Sequence, residues 1–140
     1  MKTLANFLRI LLVIFTVLLA VAAIPGGIML MVNFFAPPVE QLQGSLFKDF
    51  TIPGMALAVI VGGSAVLALI FLIKKSRFGP MLAATSGVII MFFEFVEVLV
   101  IGSPAGAAQI MQIAFFGLGT LLMIASLGTW FLELAVKPQK

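Results

Sequence analysis

Polar residues along this chain are few and bunched, and their spacing marks off four long apolar runs at about 4–32, 54–73, 81–101 and 107–136. In the first, Ile10 to Val32 carries no charge, long enough at about 1.5 Å per residue to cross a hydrocarbon layer of about 30 Å. None of the runs alternates with a period of two, so each is expected to be a helix. Turn-forming residues fill the gaps. Lys74-Lys75-Ser76-Arg77-Phe78-Gly79-Pro80 is a tight basic turn, and Gly102-Ser103-Pro104-Ala105-Gly106 makes helices 3 and 4 an antiparallel hairpin. Residues 33–53 form the longest polar segment, and within them Val39, Leu42, Leu46, Phe47 and Phe50 fall near helical spacing. With Glu40, Gln43, Lys48 and Asp49 between them, a short surface helix is expected despite Gly44. Pro53 is expected in the first turn of helix 2, and Pro25-Gly26-Gly27 to kink helix 1.

Composition turns these helices into membrane spans. The chain is 63% hydrophobic and 9% charged, against about 45–50% and about 25% in soluble domains. The expected fold is therefore all-α: a single-domain, polytopic, four-transmembrane-helix bundle. The same start resembles a signal peptide, with Val21-Ala22-Ala23 as a cleavage-like site, but the apolar run continues through Ile28 to Val32 and favours a retained helix. Cysteine, histidine and tyrosine are absent. That excludes disulfides, zinc–thiolate sites, a serine–histidine dyad and the usual near-neutral acid–base group, so no enzyme, no cofactor and no metal are expected. Met29, Met31, Met55 and Met111 read as apolar filling, since no cysteine or histidine stands beside them to make a soft metal site.

Charge orients the bundle. Lys2, Arg9, Lys74, Lys75, Arg77, Lys137 and Lys140 fall on one side of a four-span arrangement and Lys48 alone on the other, which places both termini in the cytoplasm. The net charge of +3 is thereby explained by topology anchors, and no nucleic acid is called for. Glu133 and Lys137 read as an ordinary solvated i, i+4 pair. Trp130 and Phe131 suit the inner interface, and Phe34, Phe35, Phe47 and Phe50 the outer one. Gly54, Ala58 and Gly62 form a small-residue row on helix 2, and Ala83 and Gly87 a shorter one on helix 3; both are expected to be close-packing seams. The triplet Ile-Pro-Gly occurs at Ile24 and again at Ile52, too short a match to indicate duplication.

One stretch breaks the apolar rule. Met91 to Gly102, MFFEFVEVLVIG, sets Glu94 and Glu97 on one face of helix 3, the face that also carries Ala83, Gly87 and Met91. A carboxylate at such depth costs on the order of 3 kcal/mol to insert, so protein neighbours must offset it. No lysine or arginine lies at matching depth; Gln109 and Gln112 on helix 4 do, and Asn33 at the outer end of helix 1 is a further candidate. This constellation has two readings: a site for a proton, a cation or a cationic, lipid-like ligand, or a neutral hydrogen-bonded clamp.

The order of features, helix 2 opening with IPGMALAVIVGGSAV, a basic turn, then FEFVEVLVIG near the outer end of helix 3, resembles uncharacterised small bacterial four-helix membrane proteins. That resemblance implies a plasma (inner) membrane location and no particular activity. In size and span number the chain is also similar to the small multidrug resistance transporters, but their essential glutamate lies in the first helix, where this chain has no carboxyl, so none of that family's residues carry over. Two functions are in play: a small transporter or ligand-binding protein built on Glu94 and Glu97, and a scaffold or accessory subunit whose helix 2 row docks another copy or a partner membrane protein.

Overall fold

The computed structural model describes residues 2–136. They contain four long helices, α1 (Lys2–Met31), α2 (Thr51–Ile73), α3 (Gly79–Ile101) and α4 (Ala107–Val136), and no strand. Each helix is long and apolar enough to cross a bilayer. Successive helices pack side by side and α4 closes against α1, while α1 and α3 barely meet and α2 and α4 do not touch. The result is an up-down-up-down bundle of square section. One end, the loop end, carries the 32–50 connection and the turn after α3; the other, the basic end, carries Arg9, Lys74, Lys75 and Arg77.

The bundle is lined with small and hydroxyl residues and clothed in large apolar ones. Ala23, Ala65, Ala68, Ala83, Thr16, Ser86, Ser126 and Thr129 are buried, whereas Val21, Phe92, Leu99 and Ile113 point outward. Such a distribution suits a lipid surround, where burial of apolar area drives little and close packing with satisfied polar groups does the work. The buried hydroxyls of Thr16, Ser86 and Thr129 donate to the carbonyls of Leu12, Leu82 and Ala125, one turn back along their own helices.

Two glycine crossings set the spacing. A Cβ on Gly54 would lie 2.6 Å from the carbonyl oxygen of Gly27, and one on Gly87 would lie 2.7 Å from that of Gly119. The first crossing joins α1 to α2 and brings the two Ile-Pro-Gly segments face to face; the second joins α3 to α4. Gly62 meets Ile24 as tightly, so the Gly54, Ala58 and Gly62 row of α2 is filled by the chain's own first helix and is closed to a partner helix. Immediately after the first crossing α2 widens into π turns over Ala56–Gly62, a feature the hydrophobic pattern does not signal. Just past this stretch, the Ser64 hydroxyl donates back to the Val61 carbonyl at 2.8 Å.

Helix ends follow local chemistry. α1 stays helical through Pro25 and stops at Asn33, whose positive φ of 56° turns the chain while the Phe34 N–H donates to the Met29 carbonyl. α2 begins at Thr51, three residues before its expected start, because the Asp49 carboxylate accepts the Thr51 N–H at 2.9 Å and Pro53 then falls inside the first turn. That bond holds the Asp49 carboxyl below its ordinary value.

Two expectations are corrected. The surface helix shrinks to one 3₁₀ turn, Val39–Leu42, because Gly44 takes a φ of 86° and the chain then runs irregularly; Leu42 and Phe50 are buried, but Leu46 is 98% exposed. Glu133 is no simple solvated charge: it pairs with Arg9 across the bundle at 2.7 Å. The guanidinium of Arg9 also donates to the carbonyls of Leu72 and Ser76, joining α1, α4 and the α2–α3 turn at the basic end. Lys137, the expected partner of Glu133, lies outside the described residues, as does Lys140.

Candidate functional site

Helical rise puts Glu94 roughly 10 Å and Glu97 roughly 6 Å from the loop end of α3. Their fates differ. Glu97, half-buried, accepts a hydrogen bond from Gln112 Nε2 at 3.1 Å. Gln112 comes from the second turn of α4, brought alongside by the Gly102–Gly106 turn, and its amide also donates to the Gly102 carbonyl at 3.0 Å. With both N–H groups engaged, Gln112 Oε1 is left buried and without a donor. Glu94 is only 4% exposed and makes no hydrogen bond among the described residues.

The other sequence candidates stand apart from this cluster. Gln109 is half-buried on α4 with no side-chain hydrogen bond among the described residues. Asn33 is exposed, spent on terminating α1, and does not reach the carboxyls. Ala83 and Gly87 lie deeper on α3, both buried, and Gly87 forms the crossing with α4.

A cavity of about 440 Å³ opens beside the carboxyls, lined by both Glu94 and Glu97. Small residues line it, Ala22 and Gly26 on α1 and Ala107 and Ala108 on α4, together with Phe93 on α3 and Phe115 on α4. The loop supplies its roof with Phe34, Phe35 and Pro38. Gln41, on the 3₁₀ turn, also lines it, and its Oε1 is buried without a donor. The hydrophobic pattern offered no reason to single out Gln41, since its burial depends on how the loop folds back against α3. Next to this cavity, between α2, α3 and the loop, lies an apolar groove of about 530 Å³ whose one charged wall residue is Glu97. Leu30, Pro37, Phe93 and Glu97 belong to both and form the partition between them.

The polar groups of the cavity are acceptors short of donors. Two carboxyls line it beside Gln41, whose carbonyl oxygen is itself buried, and among the described residues no lysine or arginine lines it. A group bearing N–H or O–H hydrogens and positive charge complements such a set; an anion does not. Two carboxyls with one amide oxygen fall short of the six or more oxygens of a calcium cage, and no cluster of three acidic or other metal-ligating side chains forms among the described residues.

No known protein family, curated protein or solved structure matches this chain.

Proposed function

We propose that this is a small multi-pass protein of the plasma (inner) membrane, with both termini cytoplasmic, in which Glu94 and Glu97 bind a proton or a cationic ligand and exchange one for the other during transport. One observation carries the reading. Glu94 is buried, faces a cavity and has no hydrogen-bond partner among the described residues. A static clamp would bond both carboxyls to neighbours; here Gln112 serves Glu97 alone. Glu97 is then the fixed member of the pair, held for position, and Glu94 the free one that takes the charge. The basic residues flanking the far end of the bundle support the orientation, and the cavity accordingly lies in the outer half of the bundle.

A cation and a proton compete for the same carboxyl, so binding is expected to weaken as pH falls. Glu94 and Glu97 are the titratable groups lining the cavity; α1, α2, α4 and the loop present none to it. In proteoliposomes carrying a pH gradient, Glu94→Gln is expected to abolish pH-dependent uptake of an organic ammonium ion, and Glu97→Gln to reduce it, while both variants keep the far-ultraviolet helix signal. Uptake at wild-type rates by both variants would end this reading. The scaffold reading is the weaker one, because the α2 row on which it relied is occupied by α1.

A further inference from the structure

We infer that the carboxyl cavity and the apolar groove beside it form one two-part site for a long-chain alkylammonium, its N–H-bearing head at Glu94 and its hydrocarbon chain in the groove between α2, α3 and the loop. This rests on the reading of Glu94 and Glu97 as a cation site and names its ligand class.

Three features point to such an occupant. Adjacency is the first: Glu97, Leu30, Pro37 and Phe93 line both spaces, so only these side chains stand between a head beside Glu94 and the groove. Chemistry is the second. The cavity offers the Glu94 carboxyl, without a hydrogen-bond partner among the described residues, which an ammonium with N–H hydrogens satisfies and a quaternary ammonium does not. Access is the third. Ile60, Val88 and Phe92 on the groove wall are exposed on the outward faces of the spanning helices, so an alkyl chain can enter sideways, while the buried Leu42 and Phe50 cap the groove from the loop. A small hydrated cation would use the first space and leave the second without purpose.

The test is calorimetric titration of the protein in phosphatidylcholine nanodiscs with ethylammonium, dodecylammonium, dodecyltrimethylammonium and dodecylphosphocholine. Chain length alone raises partitioning into the bilayer, so the decisive quantity is the ratio of dodecylammonium to ethylammonium affinity in wild type against groove-filled variants. Val88→Trp and Ile60→Trp, at outward positions on opposite walls, are each expected to cut that ratio by about tenfold, since the bulkier ring displaces several methylenes from the groove. Dodecyltrimethylammonium and dodecylphosphocholine are expected to bind more weakly than dodecylammonium. An unchanged ratio in both variants, or equal affinity for the trimethyl head, overturns the two-part site even if Glu94→Gln still weakens both amines. Failure of either amine to bind in a Glu94-dependent way overturns the cation reading itself.

Discussion

Gln112 and Gln109 sit three residues apart on α4, about 60° around the helix, and only one of them is joined to the carboxyls. Gln112 bridges Glu97 and the Gly102 carbonyl, so it fixes the carboxyl and the end of α3 together. Gln112→Ala leaves both acceptors short of a donor and is expected to destabilise the protein by about 1–3 kcal/mol. Gln109→Ala removes no such bond and is expected to stay within about 0.5 kcal/mol of wild type, both read by thermal unfolding in one detergent. A carboxyl inside an apolar run is visible in one dimension, which is why Glu94 and Glu97 were legible in the sequence. The choice between two glutamines on neighbouring faces depends on helix rotation, which is not. Asn33 was misplaced for a related reason: an asparagine past the last apolar residue can serve either as a helix terminator or as a ligand, and the positive φ decides. Asp49 shows the same dependence on local geometry. Its depressed carboxyl means that the bond to Thr51 is fully formed above the ordinary aspartate value of about 4 and is lost as pH falls through the lower folded value. The Thr51 amide proton shift is expected to titrate with that lowered midpoint and to become flat in Asp49→Asn.

At the level of elements, long uncharged runs are hard to misread, and the observed helices begin and end within three residues of the expected bounds. What the pattern could not supply was which small residues meet. Gly87 faces Gly119, yet Gly117, two residues away, has nothing within 4 Å of a built Cβ. Gly87→Ala is therefore expected to force α3 and α4 apart at a cost of about 1–3 kcal/mol. Gly117→Ala is expected to be neutral or to stabilise by up to about 1 kcal/mol, because alanine is the better helix former. Equal unfolding midpoints for the two variants would mean that the close crossing does not exist in solution. The short loop helix failed to materialise for a reason stated by one residue: Gly44 adopts a conformation that ends helical propagation, so the apolar spacing beyond it fell out of register with any helix face. The same loop, folded back as a roof, brought Gln41 into the cavity.

Taken as a whole molecule, the bundle is tied at one end and open at the other. At the basic end Arg9 links three elements: an ion pair to Glu133 on α4, and donations to Leu72 and Ser76 at the α2–α3 turn. The Leu72 carbonyl belongs to the last turn of α2, where a cation also complements the helix dipole. At the loop end the comparable position is held by a cavity with spare acceptors and by a single amide bridge. The ionic tie thus lies at one end of the bundle and the spare acceptors at the other. Arg9 had read as one topology anchor among seven, because sequence spacing cannot show that a residue near the start of α1 faces one near the end of α4. Arg9→Ala leaves Glu133 and two carbonyls without their donor. The expected loss is about 1–3 kcal/mol, less than the ~3–5 of a fully buried pair because the two side chains remain 18% and 30% exposed. Arg9→Lys should recover only part of it, since one ammonium cannot span the ion pair and both carbonyls with the geometry of a guanidinium. If the tie is what keeps the helices in register, Arg9→Ala will lower the unfolding midpoint yet leave the Glu94-dependent affinity for an ammonium ligand near its wild-type value, measured at a temperature well below that midpoint. A loss of affinity equal to that of Glu94→Gln in a variant that is still folded would show that the two ends are coupled instead of divided in their roles.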